Sequence, residues 1–272
     1  MQPPRILSIA GSDSSGGAGI QADIKTITML GGYAMTAITA ITAQNSLGVT
    51  MVDVLSPEMV GAQIDACVSD IGVDAVKIGM LGSAAIAHVV ADILEQADVH
   101  VVFDPVMIAT SGSVLADAET IAAFERLMRL ATVTTPNLPE LEALGGLSSV
   151  RSRTRNLLVK GGHGHGERIE DRLYVDGGDY SFWSDRIDTV HTHGTGCTLA
   201  SAIAVGLGQG LSLDVAVDRG VAFVGKVIAA APGFGGGHGP MGHTLGGVPF
   251  YSTLAEQDAS GQDAAAYSAR WS

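Results

Sequence analysis

The sequence His193-Gly194-Thr195-Gly196-Cys197-Thr198 stands directly before an apolar run, residues 199–207. Small residues ahead of a segment with helical character predict that the Gly-Thr-Gly turn lies at a helix N-terminus. Unpaired backbone N–H groups and the positive end of the helix dipole make such a turn a site for an anion such as phosphate. The same field lowers a thiol pKa, so we expect Cys197 to supply a thiolate at the rim of the site. The alternative is a tight turn that encloses a buried cysteine.

Composition limits the class of protein. The chain has 272 residues, of which 46% are hydrophobic and 16% charged, enough for one large α/β domain or two small ones. A net charge of −13 argues against nucleic-acid binding. Two cysteines, Cys67 and Cys197, cannot form a disulfide framework and suit a reducing cytosol. With no signal peptide and no apolar run of about 18 residues, we expect a soluble, cytoplasmic protein.

Short β-prone runs alternate with longer helical runs. Strands are predicted at 6–10, 34–43, 49–55, 75–78, 99–103, 132–135 and 157–160, and a hairpin joins 171–175 to 180–183. Helices are predicted at 20–30, 57–71, 84–96, 119–130, 198–207 and 213–230. Apolar strands without polar alternation indicate a mainly parallel sheet with helices on both faces. The sequence therefore predicts an α/β fold.

Polar or glycine-rich segments follow five of the predicted strands. In parallel sheets, ligands bind beyond the carboxyl ends of the strands. The five segments should converge at one edge of the sheet and form a single site: Gly11–Gly19, Gly79-Met80, Asp104-Pro105, Pro136-Asn137 and Lys160-Gly161-Gly162.

Seven segments in this order resemble one known family. They are residues 10–23 (AGSDSSGGAGIQAD), 42–45 (TAQN), 77–81 (KIGML), 104–107 (DPVM), 135–140 (TPNLPE), 159–163 (VKGGH) and 192–198 (THGTGCT). Together they resemble the hydroxymethylpyrimidine/phosphomethylpyrimidine kinases, the thiamin branch of the ribokinase-like fold, from about Ile6 to Gly237-His238-Gly239-Pro240. The resemblance implies a three-layer α/β/α architecture and a homodimer. It also implies ATP- and Mg²⁺-dependent phosphorylation of 4-amino-5-hydroxymethyl-2-methylpyrimidine, and then of its monophosphate to the diphosphate.

The resemblance implies the catalytic groups. Cys197 stands where most ribokinase relatives place an aspartate base, and the N–H groups of Gly194, Thr195 and Gly196 would stabilise the transferring phosphoryl group. Asp23 would lie near the transferred phosphate. From its position on a helix alone, Asp23 could equally face solvent.

The substrate pocket follows from the same resemblance. Gln44 carries a carboxamide that donates and accepts at once, which matches an aminopyrimidine edge. Gly11, Ala18, Met80 and Val106 would line the ring, with small residues allowing close approach. Without the resemblance, we would interpret Gln44 as a polar residue at the end of a strand and Met80 as a residue of the hydrophobic core.

The nucleotide end is expected at the later strand exits. Asn137, Lys160 and Gly161 would contact nucleotide phosphate or metal-bound water. Asp104 and Glu140 would hold Mg²⁺, largely through water. The alternative for Glu140 is an acidic residue in the first turn of a helix.

Two departures from the family pattern stand out. Only residues 141–158 join the two nucleotide segments, where the family carries an additional helix, so that flank should be thinner. Val221 occupies a position at which some members carry a lysine. We expect one kinase domain over residues 1–243 and a weakly structured tail over 244–272.

Three alternatives stay open. A pyridoxal or pyridoxine kinase of the same fold would act on a ring that also carries a hydroxymethyl group. A dinucleotide-binding oxidoreductase is more remote, since residues 11–19 lack the G-x-G-x-x-G spacing. A zinc site is weakly suggested by histidines in glycine-rich loops, at positions 163, 165, 191, 193, 238 and 243.

Overall fold

A nine-stranded sheet runs through the computed structural model, which describes residues 2–108, 112, 115–162 and 166–245. The expected tail beyond residue 245 lies outside the described residues, as do His163 and His165. The strands are β1 (Arg5–Asp13), β2 (Tyr33–Asn45), β3 (Gly48–Val54), β4 (Ala75–Ile78), β5 (His100–Phe103), β6 (Val133–Thr134), β7 (Leu157–Val159), β8 (Arg168–Val175) and β9 (Gly178–Asp185).

The strand order is β3-β2-β1-β4-β5-β6-β7-β8-β9. Strands β1, β2 and β4 to β7 pair in parallel, whereas β3 and the β8–β9 hairpin pair antiparallel at the two ends of the sheet. The carboxyl ends of the parallel strands therefore share one edge. The predicted mainly parallel sheet and the hairpin are confirmed.

Helices cover both faces of the sheet. They are α1 (Gly19–Met29), α2 (Pro57–Asp70), α3 (Ala84–Leu94), α4 (Ala118–Leu130), α5 (Leu138–Ala143), α6 (Gly146–Arg151), α7 (Thr195–Gly208) and α8 (Leu213–Ala229). Neighbouring strand residues enter opposite cores because successive side chains of a strand point to opposite faces. Leu7 packs in the core that includes α3 and α4, whereas Ile6 packs in the core beneath α7 and α8. The three-layer α/β/α expectation is confirmed.

Capping residues set where several helices begin. Ser56 accepts a hydrogen bond from the N–H of Met59 at the start of α2, and Asp117 accepts one from the N–H of Thr120 at the start of α4.

Between Glu140 and Lys160 the chain forms α6, whose Val150 is fully buried in the core. The expectation that this segment lacks a helix is therefore wrong: a short helix fits into it because the turn at Gly145 takes a left-handed conformation, with φ of 97°.

Candidate active site

A cavity of about 990 Å³ opens at the carboxyl edge of the parallel strands. All five glycine-rich or polar strand exits contribute to its lining, and so does the N-terminus of α7. A volume of this size matches the upper range of small-molecule sites. The predicted convergence is confirmed.

The N-terminus of α7 forms the middle of the cavity. Gly194 caps the helix in the left-handed conformation, with φ of 89°, and a Cβ there would collide with the carbonyl of Gly17. The N–H groups of Gly194 and Gly196 make no hydrogen bond within the described part of the chain. The N–H of Thr195 bonds to the carbonyl of Thr192 at 3.3 Å, so it is partly used. Two of the three expected N–H groups therefore remain for an anion.

Cys197 lines the cavity and is half-buried. Burial raises the pKa of its thiol to about 11, although the Lys77 ammonium lowers it in part. The carboxylates of Asp23 and Asp104 raise it further, and a hydrogen bond from the Gly19 N–H opposes them. The expectation of a lowered thiol pKa is therefore wrong for the unliganded protein. Desolvation and the two carboxylates outweigh the favourable groups around the sulfur.

Asp23 lies beneath the cavity and does not line it. Its carboxylate is fully buried, as is the ammonium of Lys77, and the two lie 2.8 Å apart. Ser8 and Ser201 donate their hydroxyl protons to the same carboxylate, at 2.6 Å and 2.7 Å. In this conformation Asp23 does not face solvent, and its place near the transferred phosphate stays a prediction. It anchors α1 to β4 and to α7.

Asp104, Lys160 and Glu140 form a connected charged group in the lining of the cavity. Lys160 Nζ lies 2.6 Å from Asp104 Oδ1 and 3.7 Å from Glu140 Oε2. Thr135 also donates to Asp104 Oδ1, at 3.2 Å. A Cβ on Gly196 would lie 3.2 Å from Lys160 Nζ, so the ammonium is directly beside the N-terminus of α7.

Glu140 also caps a helix. Asn137 and Glu140 exchange hydrogen bonds at the start of α5 as a capping box. Burial raises the pKa of Glu140 to about 7, although the ammonium of Lys160 lowers it and Asp104 raises it further. The first-turn interpretation of Glu140 is therefore confirmed, and its role in holding Mg²⁺ stays a prediction.

The two other expected nucleotide residues differ in position. Asn137 lines the cavity, but Gly161 does not. The N–H of Gly161 donates to Asp171 Oδ1 at 2.7 Å, and a Cβ at Gly161 would collide with the carbonyl of Glu170. In this conformation the Gly161 N–H is unavailable to a phosphate, because the Asp171 carboxylate already accepts its hydrogen bond.

All five residues expected to bind the substrate ring line the cavity. They are Gly11, Ala18, Gln44, Met80 and Val106. A Cβ on Gly11 would come within 3.0 Å of Met80 Sδ, so glycine there leaves room for the thioether wall.

Asp13 and His193 also line the cavity, and the sequence argument assigned neither of them to the substrate pocket. Asp13 accepts N–H bonds from Ser15, Gly17 and Ala18, which fixes the glycine-rich loop after β1. His193 Nε2 lies 2.8 Å from Asp13 Oδ2. Burial alone would raise the pKa of Asp13, but the bonds from His193, Ser15 and Ala18 hold it below its usual value. The only sequence signal was the position of each residue beside a glycine-rich turn.

Val221 lines the cavity on α8, next to Val224 and Gly225. Lys226, farther along the same helix, is exposed and does not line it. The wall at this position is therefore apolar, as expected from the valine.

Among the described residues, no three histidine, cysteine or acidic side chains are grouped to hold a metal ion. No described helix is long and apolar enough to cross a bilayer.

Comparisons with known proteins identify the family. The family model for phosphomethylpyrimidine kinase matches residues 13–242. A hydroxymethylpyrimidine/phosphomethylpyrimidine kinase of Streptomyces coelicolor is 44% identical over 257 residues, covering 89% of this chain and 94% of the relative. The structure of an ADP complex of Bacillus subtilis pyridoxal kinase superposes with a TM-score of 0.82 at 32% identity, covering 89% of this chain and 98% of that one. A phosphomethylpyrimidine kinase from Clostridium difficile superposes with a TM-score of 0.73 at 37% identity, covering 83% and 99%. The chain belongs to the phosphomethylpyrimidine kinase family.

Proposed function

We propose that this protein is an ATP-dependent kinase for 4-amino-5-hydroxymethyl-2-methylpyrimidine and for its monophosphate, acting in thiamin biosynthesis. One observation carries the proposal. A single cavity is lined by small residues with Gln44, by Lys160 between two carboxylates, and by Cys197 at the N-terminus of α7. These groups together are the ones needed to pass a phosphoryl group from a nucleotide to a hydroxymethyl group.

The two phosphorylations make different demands on Cys197. In the first, the substrate hydroxyl attacks the γ-phosphorus, and the bond from that phosphorus to the oxygen bridging the β- and γ-phosphates breaks, so that ADP leaves. The hydroxyl group loses its proton to the sulfur of Cys197, which accepts it as a thiolate. The N–H groups of Gly194 and Gly196 stabilise the charge on the phosphoryl oxygens. In the second, the attacking atom is an oxygen of a phosphate, which needs less help from a base. The second step should therefore depend less on Cys197.

The charged group around Lys160 suits nucleotide phosphates with a magnesium ion. Mg²⁺ takes oxygen ligands and commonly binds through one or two carboxylates, several waters and the substrate phosphates. Asp104 and Glu140 provide such oxygens, and a buried Glu140 with a pKa of about 7 would lose its proton as a cation binds. Mg²⁺ would neutralise phosphate charge there. Asn137 would hold a phosphate or a metal-bound water.

A homodimer is also proposed, in which a second copy of this chain covers β3. This strand is an edge of the sheet, and antiparallel edges left open can pair with another chain. Met51 is 69% exposed and Leu47, in the turn before β3, is 72% exposed. Light scattering should give the mass of two chains, and Met51→Lys should reduce it towards one. A monomeric wild type would contradict the proposal.

Pyridoxal kinase is the second candidate, since a solved pyridoxal kinase superposes over nearly its whole length. A coupled ADP-release assay with Mg-ATP separates the two, using the hydroxymethylpyrimidine, its monophosphate and pyridoxal as acceptors. Turnover of both pyrimidines supports the first proposal. Turnover of pyridoxal alone would replace it with the second.

Replacement of Cys197 tests whether the two phosphorylations depend on this residue to different degrees. Cys197→Ala should lower kcat for the first phosphorylation by about 10²-fold or more, within the usual range for a lost general base, and lower the second much less. Cys67→Ala, at the other cysteine, is the matched control and should change neither. Equal losses in both steps would remove Cys197 from the role of base.

A further inference from the structure

Gln44 has protein partners at both of its terminal amide atoms. Oε1 lies 3.2 Å from Thr42 Oγ1, and Nε2 lies 3.3 Å from His193 Nε2. Each of these partners has a second, shorter bond of its own. Thr42 Oγ1 donates to the carbonyl of Ser12 at 2.9 Å, and His193 Nε2 lies 2.8 Å from Asp13 Oδ2.

A count of protons shows which partner donates and which accepts. The one hydroxyl proton of Thr42 goes to a carbonyl oxygen, which can only accept, so Thr42 offers Gln44 a lone pair. Asp13 has a lowered pKa and is a carboxylate, so His193 Nε2 carries a hydrogen whether the ring is neutral or charged. Gln44 thus faces a lone pair on Thr42 and, on His193, an N–H that is shared with the shorter bond to Asp13 and has no lone pair with which to accept a bond. If Oε1 of Gln44 points towards Thr42, two acceptor oxygens face each other at that contact. At the other contact, the NH₂ group of Gln44 faces the N–H of His193, so two donors face each other.

We propose that the Gln44 amide takes the opposite orientation, with Nε2 on Thr42 and Oε1 on His193, and that Thr42, His193 and Asp13 fix it there. A half-turn about the Cγ–Cδ bond exchanges the two atoms with almost no change in shape, so hydrogen bonding decides between the orientations. Thr42 is 4% exposed and His193 is 4% exposed, which shields both bonds from water. These three are positioning residues, and Gln44 is the residue that they orient.

A fixed amide determines which ring edge the pocket accepts, an inference that rests on the proposed function. Gln44 keeps one N–H and one lone pair for the ligand, in a set order. A 4-aminopyrimidine presents the complement, with N3 as acceptor beside an amino donor. The 4-oxo analogue presents the reverse, an N3–H donor beside a carbonyl acceptor. To bind it, Gln44 would have to turn and lose both protein bonds, or the ligand would have to turn over and move its hydroxymethyl group away from α7.

Pyridoxal presents neither pattern. Its 3-hydroxyl group and its ring nitrogen are separated by a carbon atom, so its ring nitrogen has no donor group directly beside it, as N3 of the aminopyrimidine has. The fixed amide therefore contributes selectivity for the aminopyrimidine among rings that carry a hydroxymethyl group.

The test compares the 4-amino substrate with its 4-oxo analogue by kcat/KM and by calorimetric Kd. Wild type should prefer the amino compound by about 10²-fold or more, because a site built around fixed hydrogen bonds rejects a mismatched partner. Thr42→Val removes one of the two fixing bonds and should reduce this ratio by about tenfold. Thr42→Ser keeps the hydroxyl group and should restore it. A purely structural effect of Thr42→Val would weaken the binding of both compounds equally and leave the ratio unchanged. An unchanged ratio would overturn the proposal.

A second measurement needs no variant. In wild-type protein with ¹⁵N-labelled glutamine, the side-chain NH₂ protons of Gln44 should show a nuclear Overhauser effect to the side chain of Thr42. An effect to the ring of His193 instead would overturn the orientation. This result does not depend on turnover. A protein that binds neither pyrimidine would refute the proposed function, whereas binding with an unchanged ratio would refute only the fixed amide.

Discussion

The ionisation of Cys197 gives a quantitative prediction. Burial raises its thiol pKa to about 11, four units above neutrality. Since each unit is a factor of ten, only a very small fraction of the molecules carries the thiolate at pH 7. The thiolate fraction should therefore rise about tenfold per pH unit from pH 7 to pH 10, without a plateau.

Alkylation by iodoacetamide measures this directly, because the thiolate is the reacting species. The rate at Cys197 is followed by mass spectrometry in Cys67→Ala protein, across pH 7 to 10. Folding at each pH is checked by circular dichroism. The rate of the first phosphorylation should rise over the same range, since it depends on the same thiolate, while the second phosphorylation should change less.

A different pH dependence would refute the reasoning. An alkylation rate that levels off near pH 7 or 8 would mean that the N-terminus of α7 and the ammonium of Lys77 outweigh desolvation at Cys197. In that case the expectation drawn from the turn sequence would be right, and burial would be the smaller effect.

Three further changes have expected outcomes. Lys77→Met leaves the fully buried Asp23 carboxylate without its cation, so the free energy of unfolding should fall by about 3–5 kcal/mol, measured by urea denaturation; an unchanged denaturation midpoint would contradict the buried ion pair. Gly161→Ala would place a methyl group against the carbonyl of Glu170 and should destabilise the protein by about 1–3 kcal/mol or more; wild-type stability would show that β8 can move away. Gln44→Ala should weaken binding of the pyrimidine about tenfold or more by calorimetry, because ring donor and acceptor lose their partners; an unchanged Kd would remove Gln44 from the pocket.

Much of the fold was predictable from the sequence. Apolar strands and amphipathic helices alternate along the chain, and that pattern requires a mainly parallel sheet covered on both faces. The site at the carboxyl edge follows from the same topology, and so does the turn at Gly194 before α7. The short helix α6 was missed, and α5 was given only as the alternative for Glu140, because six residues carry too little periodicity to reveal a helix.

The roles of individual side chains were less predictable, since they depend on partners far away in the chain. Asp23 and Lys77 are 54 positions apart, and Asp13 and His193 are 180 apart. No local pattern indicates that such residues meet. The position of Asp23 on a helix was compatible with solvent, with phosphate or with burial.

The sequence by itself determined the order of the strands and helices along the chain. It also determined the edge of the sheet at which the site forms and the residue types available there. Hydrophobic periodicity and turn residues act locally, so they can be read along the chain. Only the tertiary structure decided that Cys197 is a thiol of raised pKa, that the Gly161 N–H is used by Asp171 and which partners surround Gln44. The physical reason is that burial, charge and hydrogen bonding are summed over all neighbours in space, and folding selects those neighbours from the whole chain.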